Sequence, residues 1–201
     1  MNKKIFWVGA ISFLVVAITV LGYMVFAKPS DFRGTAYSEP YPLAPKIDLK
    51  QADGKSFHLS DQQGRIVLIF FGYTSCPDVC PTTLAELNVA LGKLGDKSKN
   101  IQVVFISVDP QRDTPEKIKN YVERFNSSFV GLSGSLEELQ PIWQGYGIFR
   151  EVAQGGTATN YVINHTARIT LIDARGNLRL SYGFQTPLED IVNDIDILLS
   201  Q

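Results

Sequence analysis

The chain has 201 residues, 45% of them hydrophobic and 19% charged, which suits one globular domain with a sizeable buried core. Its formal net charge of −1 excludes the strongly basic field that binds nucleic acid non-specifically. Two cysteines and two histidines are present, so a metal site with thiolate or imidazole ligands has to be built from four side chains: Cys76, Cys80, His58 and His165.

Residues 1–28 predict a single transmembrane helix. Residues 5–27 carry no charged side chain, and as a helix they would span roughly 35 Å, which exceeds a hydrocarbon core of about 30 Å. Lys3 and Lys4 place the N-terminus in the cytoplasm and the rest of the chain outside. A cleaved signal peptide is the alternative, but its apolar region is usually shorter, about 7–15 residues.

The segment after this anchor and the domain that follows differ in pattern. Residues 29–45 contain four prolines and predict an extended tether. Residues 46–201 alternate between strand and helix patterns, which predicts an α/β domain with a thioredoxin-like central sheet flanked by helices on both faces. In chain order the predicted elements are a hairpin at 46–61, a strand at 65–73, a helix at 82–95, a strand at 101–109, helices at 114–125 and 135–147, a hairpin joining 167–173 to 177–183, and a helix at 186–199.

Both cysteines lie in the sequence GYTSCPDVCP, directly after the first buried strand, and a proline follows each of them. A residue before proline disfavours helical backbone, and proline itself is tolerated in a helix in the first turn. Both cysteines are therefore biased against regular helix, the helix should not begin much before Asp78, and both thiols should lie in a stiff turn at its N-terminus. Unpaired N–H groups and the positive end of the helix dipole favour thiolates there. A purely structural disulfide is an alternative, although closing so short a loop would stabilise the fold little.

Several kinds of thiol chemistry use two neighbouring cysteines. The spacing is one residue longer than the Cys-X-X-Cys of thiol oxidoreductases, and Thr74 is too close to Cys76 for the approach sequence of a peroxiredoxin. Structural zinc needs four ligands, but His58 lies in a polar hairpin typical of a solvated strand residue. Two thiolates and one imidazole suit copper, because thiolate is a soft ligand and imidazole accepts either oxidation state. His165 is the candidate imidazole, and the Gly- and Thr-rich residues 153–160 predict a mobile loop that would let it engage and release.

Three segments together resemble one protein family. The segments GYTSCPDVCPTTL, SVDPQRDTPEKIKNYVERF and NYVINHTARITLID are similar, in this order, to those of the Sco/SenC family, the membrane-tethered thioredoxin-fold copper chaperones of cytochrome c oxidase assembly. The resemblance covers about residues 30–200. It implies a site that binds copper as Cu(I) and as Cu(II) through three ligands: Cys76, Cys80 and His165.

One position departs from the family pattern. Asn164 stands beside His165 where an aspartate is usual, so the acidic group expected next to the ligands is replaced by an amide. Within the segment DPQRDTP, Asp109 is predicted at the end of a central strand near the site. Thr114 and Pro115 of the same segment are explained as the start of a helix.

The resemblance also implies a function. The chain would be a metallochaperone, rather than an enzyme with turnover, that delivers copper to the dinuclear copper site of cytochrome c oxidase or reduces the cysteines of that site. The alternative is a membrane-anchored thiol–disulfide oxidoreductase that uses Cys76 and Cys80, with copper incidental. His165 favours the metal, since disulfide exchange does not need a histidine.

The expected partners follow from this function. They are the copper-site subunit of cytochrome c oxidase, a periplasmic copper donor or thiol reductant, and the membrane through the N-terminal helix; no nucleic acid is expected. The expected location is the bacterial inner membrane, crossed once, with the C-terminal domain in the periplasm.

Overall fold

The computed structural model describes residues 7, 11–19, 32–157 and 161–201. The chain divides into two compact units, Met1–Asp31 and Phe32–Gln201. Residues 11–19 of the first unit are helical. Within the described ranges, no helix combines the length and the apolar character needed to cross a membrane. The anchor predicted at residues 5–27 lies largely outside the described residues and stays a prediction.

The second unit combines short and long strands with four α-helices in its described ranges. The strands are β1 (Thr35–Ala36), β2 (Asp48–Lys50), β3 (Ser56–His58), β4 (Ile66–Gly72), β5 (Ile101–Ser107), β6 (Val130–Leu132), β7 (Arg150–Val152), β8 (Ile163–His165), β9 (Arg168–Ile172) and β10 (Leu178–Gly183). The helices are α1 (Val79–Leu94), α2 (Pro115–Glu123), α3 (Leu136–Gly145) and α4 (Leu188–Leu199), with short 3₁₀ helices at Leu59–Gln62 and Gly95–Asn100.

The central sheet has six strands in the order β1-β10-β9-β4-β5-β6. β4, β5 and β6 run parallel, whereas β9 is antiparallel to both β4 and β10. β4 and β5 correspond to the two near-continuous apolar runs of the sequence, and all their residues are buried, as expected for strands covered on both faces. The hairpins β2–β3 and β7–β8 form separate two-stranded sheets.

Helices cover both faces of the central sheet. Phe70 and Phe71 are neighbours in β4, so their side chains point to opposite faces. Phe70 contacts Phe105, which in turn contacts Tyr121 of α2, with ring centroids 5.8 and 5.6 Å apart. Phe71 contacts Tyr146 at the end of α3, with ring centroids 5.4 Å apart. The predicted α/β sheet of thioredoxin-like type with helices on both faces is therefore confirmed.

The helix after the cysteines begins where the prolines allow it, not before Asp78, although three residues ahead of the apolar pattern that starts at residue 82. α1 starts at Val79, directly after Asp78, so Cys80 and Pro81 lie in its first turn. Cys80 therefore lies at the helix N-terminus as predicted, but within the helix despite the predicted bias against it. The bias of a residue before proline against helical backbone is a local preference that tertiary packing overrides here, and the missing N–H of Pro81 costs nothing in a first turn.

Residues 32–45 of the predicted tether lie against the domain. β1 pairs antiparallel with β10 at the edge of the sheet. The backbone N–H groups of Arg33 and Gly34 donate hydrogen bonds to the carboxylate of Asp194, at 2.9 and 2.8 Å. Asp194 is fully buried in α4 and also accepts a hydrogen bond from the hydroxyl of Tyr182. A buried carboxylate therefore fixes the start of the segment to the domain.

Candidate metal centre

Three segments meet beyond the carboxyl end of β4. The first is the turn that carries Cys76, the second is the first turn of α1 with Cys80, and the third is β8 with His165. Cys80 is fully buried, Cys76 is partly buried, and both are free thiols. Functional groups of open α/β sheets commonly collect at this end of the strands.

Gly72, the last residue of β4, makes room for Cys80. A Cβ atom at Gly72 would lie 2.7 Å from Cys80 Sγ and 2.6 Å from the ring of Phe105, well inside the normal contact distance of about 3.5–4.0 Å. Cys80 and Phe105 are both fully buried, so neither can move aside freely. The absence of a side chain at Gly72 therefore lets the Cys80 thiol lie directly against the end of the strand.

The imidazole of His165 faces the Cys80 thiol. His165 Nε2 lies 3.9 Å from Cys80 Sγ, and His165 Nδ1 lies 3.2 Å from the carbonyl oxygen of Thr166. A carbonyl oxygen accepts hydrogen bonds and does not donate them, so this second contact requires the proton on Nδ1. This contact leaves Nε2 as the ring nitrogen that points to the thiol. An edge contact with the Tyr73 ring, 5.8 Å between centroids, supports this orientation.

The separation of these two atoms fits two ligands of one metal ion. With metal–sulfur and metal–nitrogen bonds of about 2.3 and 2.0 Å, two ligands lie roughly 3.5 Å apart at a tetrahedral angle and roughly 3.7 Å apart at a trigonal angle. Cys80 Sγ and His165 Nε2 are 3.9 Å apart, so a small adjustment brings both to a shared ion. Across the described residues, no three His, Cys, Asp or Glu side chains are gathered closely enough to hold an ion without movement. The structure thus brings two of the predicted ligands together and places Cys76 beside them.

The two thiols have opposite pKa shifts. A hydrogen bond with the Cys80 thiol lowers the pKa of Cys76 to about 3, and hydrogen bonds with the His165 side chain and with the backbone N–H groups of Cys80 and Asp78 at the start of α1 add to the effect. The same hydrogen bond, together with burial, raises the pKa of Cys80 well above its usual range. The predicted thiolate at the helix N-terminus is therefore found for Cys76, whereas Cys80 keeps its proton.

A buried carboxylate that sequence reasoning missed, Asp113, holds the turn before the cysteines. It accepts hydrogen bonds from Thr74 N at 3.0 Å, from Thr74 Oγ1 at 2.5 Å and from Ser107 Oγ at 3.0 Å. Thr74 is 39 residues away in the chain, so no local pattern links it to Asp113. Asp109, predicted at the end of a central strand, follows β5 by two residues and is fully buried.

Two other residues considered in the sequence, His58 and Asn164, take no part in the contacts between the thiols and His165 that the structure shows. His58 lies in β3 of the separate β2–β3 hairpin, where its Nδ1 is 2.9 Å from Asp48, in agreement with a solvated strand residue. A zinc site that uses all four candidate side chains is not formed by the described residues. Asn164 is exposed in β8, and its partner across the β7–β8 hairpin is the exposed Glu151. A carboxylate is therefore present on the neighbouring strand.

Comparison with known proteins identifies relatives, and residues 35–200 match the family model described as SCO1/SenC. A Stutzerimonas stutzeri protein named as copper-binding is 35% identical over 136 residues, which cover 67% of this chain and 66% of that protein. The apo Sco1 structure from Thermus thermophilus is 39% identical, with a TM-score of 0.75, and covers 83% of this chain and 96% of that one. The copper-bound ScoI structure from Bradyrhizobium japonicum is 33% identical, with a TM-score of 0.70, covering 78% and 99%. Because the family model matches most of the sequence, the chain belongs to the SCO1/SenC family.

Proposed function

We propose that the chain is a membrane-anchored copper metallochaperone that delivers copper to the dinuclear copper site of cytochrome c oxidase, or reduces the cysteines of that site, during assembly. Cys76, Cys80 and His165 are the proposed copper ligands. Family membership supports the proposal, as does a relative of 33% identity whose structure contains copper. Copper is the cargo of the protein in this proposal.

One observation favours copper delivery over thiol–disulfide exchange. His165, 85 residues from Cys80 in the chain, presents its Nε2 to the Cys80 thiol at 3.9 Å. A pair of thiols that only exchanges disulfides does not require a nitrogen donor at this position. Two soft sulfur ligands and one imidazole can hold copper in either oxidation state.

The chain's own residues prepare the site for a metal ion. Metal-binding cysteines must be thiolates, and Cys76 already is one at neutral pH because its pKa is lowered to about 3. Cys80 has a raised pKa, so it must release its proton when it becomes a ligand. The contact of His165 Nδ1 with the Thr166 carbonyl turns Nε2 toward the thiols, where it can become a ligand of the ion.

The test is an anaerobic copper titration of the reduced protein and its His165→Ala variant. We expect His165→Ala to lose the absorption of a Cu(II)–thiolate complex but to keep part of its Cu(I) binding, because two sulfur ligands suffice for Cu(I). In cells, the same variant should fail to support oxidase activity at limiting copper. His58→Ala is the matched control, since it removes the other histidine, which lies in the separate β2–β3 hairpin. Wild-type Cu(II) binding and oxidase activity in His165→Ala would contradict the proposal.

A second candidate function is thiol–disulfide exchange, and the asymmetry of the two thiols favours it. Cys76 is partly exposed with a lowered pKa, whereas Cys80 is buried with a raised pKa. An accessible thiolate next to a protonated thiol suits attack on a disulfide followed by resolution. Under this alternative, His165→Ala would keep both exchange activity and oxidase assembly.

The proposed location is the bacterial inner membrane, with residues 5–27 as the anchor and the domain in the periplasm. The charge distribution supports this orientation, since Lys3 and Lys4 precede the apolar run. The proposed partners are the copper-site subunit of the oxidase and a periplasmic copper donor or thiol reductant.

A further inference from the structure

The β7–β8 hairpin carries His165 but forms a two-stranded sheet of its own. Backbone pairing to the central sheet therefore does not fix the position of β8. At its carboxyl side, β8 leads into β9 of the central sheet after Thr166 and Ala167. At its amino side, β8 contacts the rest of the domain through side chains: the Tyr73 hydroxyl meets the backbone of Ile163, and a cluster of buried groups meets Tyr161.

Arg112 links Tyr161 to the end of β5. Arg112 Nη1 donates a hydrogen bond to the carbonyl oxygen of Tyr161 at 2.9 Å, and its guanidinium carbon lies 3.6 Å from the centre of the Tyr161 ring. Arg112 Nε pairs with the carboxylate of Asp109. The Arg112 side chain is 13% exposed and that of Asp109 is not exposed at all. One cation thus contacts the backbone and the ring of the residue that begins the approach to β8.

Asp109 contacts the same residue directly. The hydroxyl of Tyr161 donates a hydrogen bond to Asp109 Oδ1 at 2.6 Å. Asp109, Arg112 and Tyr161 therefore form a closed triangle of contacts, which we call the arginine latch. Because the groups are buried and paired, each contact is stronger than it would be in water, and loss of one member leaves the others unsatisfied.

The arginine latch adjoins the contacts that orient the imidazole. The guanidinium carbon of Arg112 lies 5.6 Å from the centre of the Tyr73 ring. The hydroxyl of Tyr73 accepts a hydrogen bond from the backbone N–H of Ile163 in β8, at 3.3 Å, and its ring meets the ring of His165 edge-on. Tyr73 follows β4 directly and belongs to the segment that carries the thiols. Arg112 thus lies between the thiol-bearing segment and the histidine-bearing strand.

We propose that the arginine latch is the positioning device for His165: it holds β8 where the imidazole faces Cys80. This inference rests on the proposed function in one respect, the role of His165 as a copper ligand. Asp109, Arg112 and Tyr161 are positioning residues that act through His165. Releasing the latch would turn a site with two sulfur ligands and one nitrogen ligand into a site with two sulfur ligands.

The test compares Arg112→Lys with Arg179→Lys. Lysine keeps the charge but lacks the planar fork that donates to two acceptors and stacks on a ring. Arg179 is a matched control, because its side chain is 11% exposed, lies 3.2 Å from Asp173 and stacks 4.1 Å from the centre of the Tyr41 ring. Asp173 directly follows β9, whose Ile172 pairs with Val67, so the control lies at the opposite end of β4 from the cysteines.

The first measurement needs no copper. The chain contains two histidines, so the ring signals of His165 can be assigned in an NMR spectrum by comparison with His58→Ala. Wild-type protein and Arg179→Lys should show a nuclear Overhauser effect between the rings of His165 and Tyr73. Arg112→Lys should lose it, because β8 is no longer held at Tyr161.

The second measurement is copper affinity. Arg112→Lys should weaken Cu(II) binding by about 10–100-fold, the range typical of residues that orient metal ligands. Cu(I) binding should fall less, because both thiols remain. Arg179→Lys should stay within about twofold of wild type. In a His165→Ala background, Arg112→Lys should cause no further loss of Cu(II) affinity, because its effect passes through the histidine.

Two results would overturn the proposal. The first is an unchanged nuclear Overhauser effect between the rings of His165 and Tyr73 in Arg112→Lys. The second is a further loss of Cu(II) affinity when Arg112→Lys is added to His165→Ala. If Arg112→Lys does not fold, Tyr161→Phe replaces it, since this variant keeps the stacked ring and removes the hydroxyl bond to Asp109. Tyr161→Phe should weaken the nuclear Overhauser effect between His165 and Tyr73 and lower the Cu(II) affinity. Wild-type values of both would count against the arginine latch. If His165→Ala itself binds Cu(II) normally, the proposed ligand set fails, while the NMR measurement still decides the latch.

Discussion

The position of Cys80 depends on the absence of a side chain at Gly72. Gly72→Ala would add a Cβ atom 2.7 Å from Cys80 Sγ and 2.6 Å from the Phe105 ring. We expect this variant to lose about 1–3 kcal/mol in the free energy of unfolding, the usual cost of overpacking a core, and to bind copper less tightly. The measurement is chemical denaturation together with a copper titration. Gly92→Ala is the control, since a Cβ there meets nothing within 4 Å; equal stability of the two variants would contradict the argument.

Cys76 should react as a thiolate at unusually low pH. Its pKa is lowered to about 3, so the thiolate dominates from mildly acidic to neutral pH. The rate of its alkylation should therefore change little between about pH 5 and pH 8, where a cysteine of ordinary pKa, about 8.5, reacts roughly tenfold faster for each pH unit. Cys80→Ala should raise the pKa of Cys76 by removing the hydrogen bond. Mass spectrometry of reduced, metal-free protein measures both; an ordinary pH profile for Cys76 would show that the Cys80 contact does not act in solution.

At the scale of elements, metal binding by Cys76 and Cys80 and a disulfide between them exclude each other. The same two sulfur atoms must be thiolates to bind a metal. We therefore expect oxidised protein to bind copper far more weakly than reduced protein. Parallel titrations of the two forms, with the oxidation state checked by mass, test this. Equal binding by both would place the ligands elsewhere in the chain.

Long elements with a clear local signal were predictable from the sequence, and short ones were not. β4 and β5 are near-continuous apolar runs, and α2 begins where Thr114 accepts the hydrogen bond expected of an N-cap, from Lys117 N. The strands β7 and β8 are three residues each and show no alternation that separates them from loop. They pair with each other, and the side-chain contacts that join them to the domain come from far along the chain: Arg150 donates to the Val108 carbonyl and Arg112 to the Tyr161 carbonyl, across 42 and 49 residues.

The same distinction applies to the site. The position of both cysteines at the end of a strand followed from local pattern. The approach of His165 did not, because the 85 residues that separate it from Cys80 leave its place to the fold; ligand chemistry made it a candidate, and the resemblance to the family then implied the same ligand. Asp113 was missed as a site residue for the same reason, since its partner Thr74 lies far along the chain.

At the scale of the whole molecule, the N-terminal segment should remain part of the mature protein. Residues 5–27 are longer than the apolar region of a signal peptide, which is about 7–15 residues, and follow two lysines. We expect protein isolated from its native membrane to retain this segment, and its intact mass measures the N-terminus. A mature chain that begins at Lys28 would show cleavage instead.

The separate pairing of the β7–β8 hairpin has a kinetic consequence for the whole molecule. Segments without backbone pairing to a central sheet open locally at a lower free energy than the sheet itself. Local opening of this hairpin would withdraw the His165 imidazole. Both sulfur atoms would stay in place, because Cys80 lies in α1 and Cys76 in the turn between β4 and α1. Apparent affinity for the ion would then scale with the closed population of the hairpin. Under the proposed function, a recipient thiol would therefore bind copper at the position that His165 leaves, at a rate set by local opening and without global unfolding of this protein.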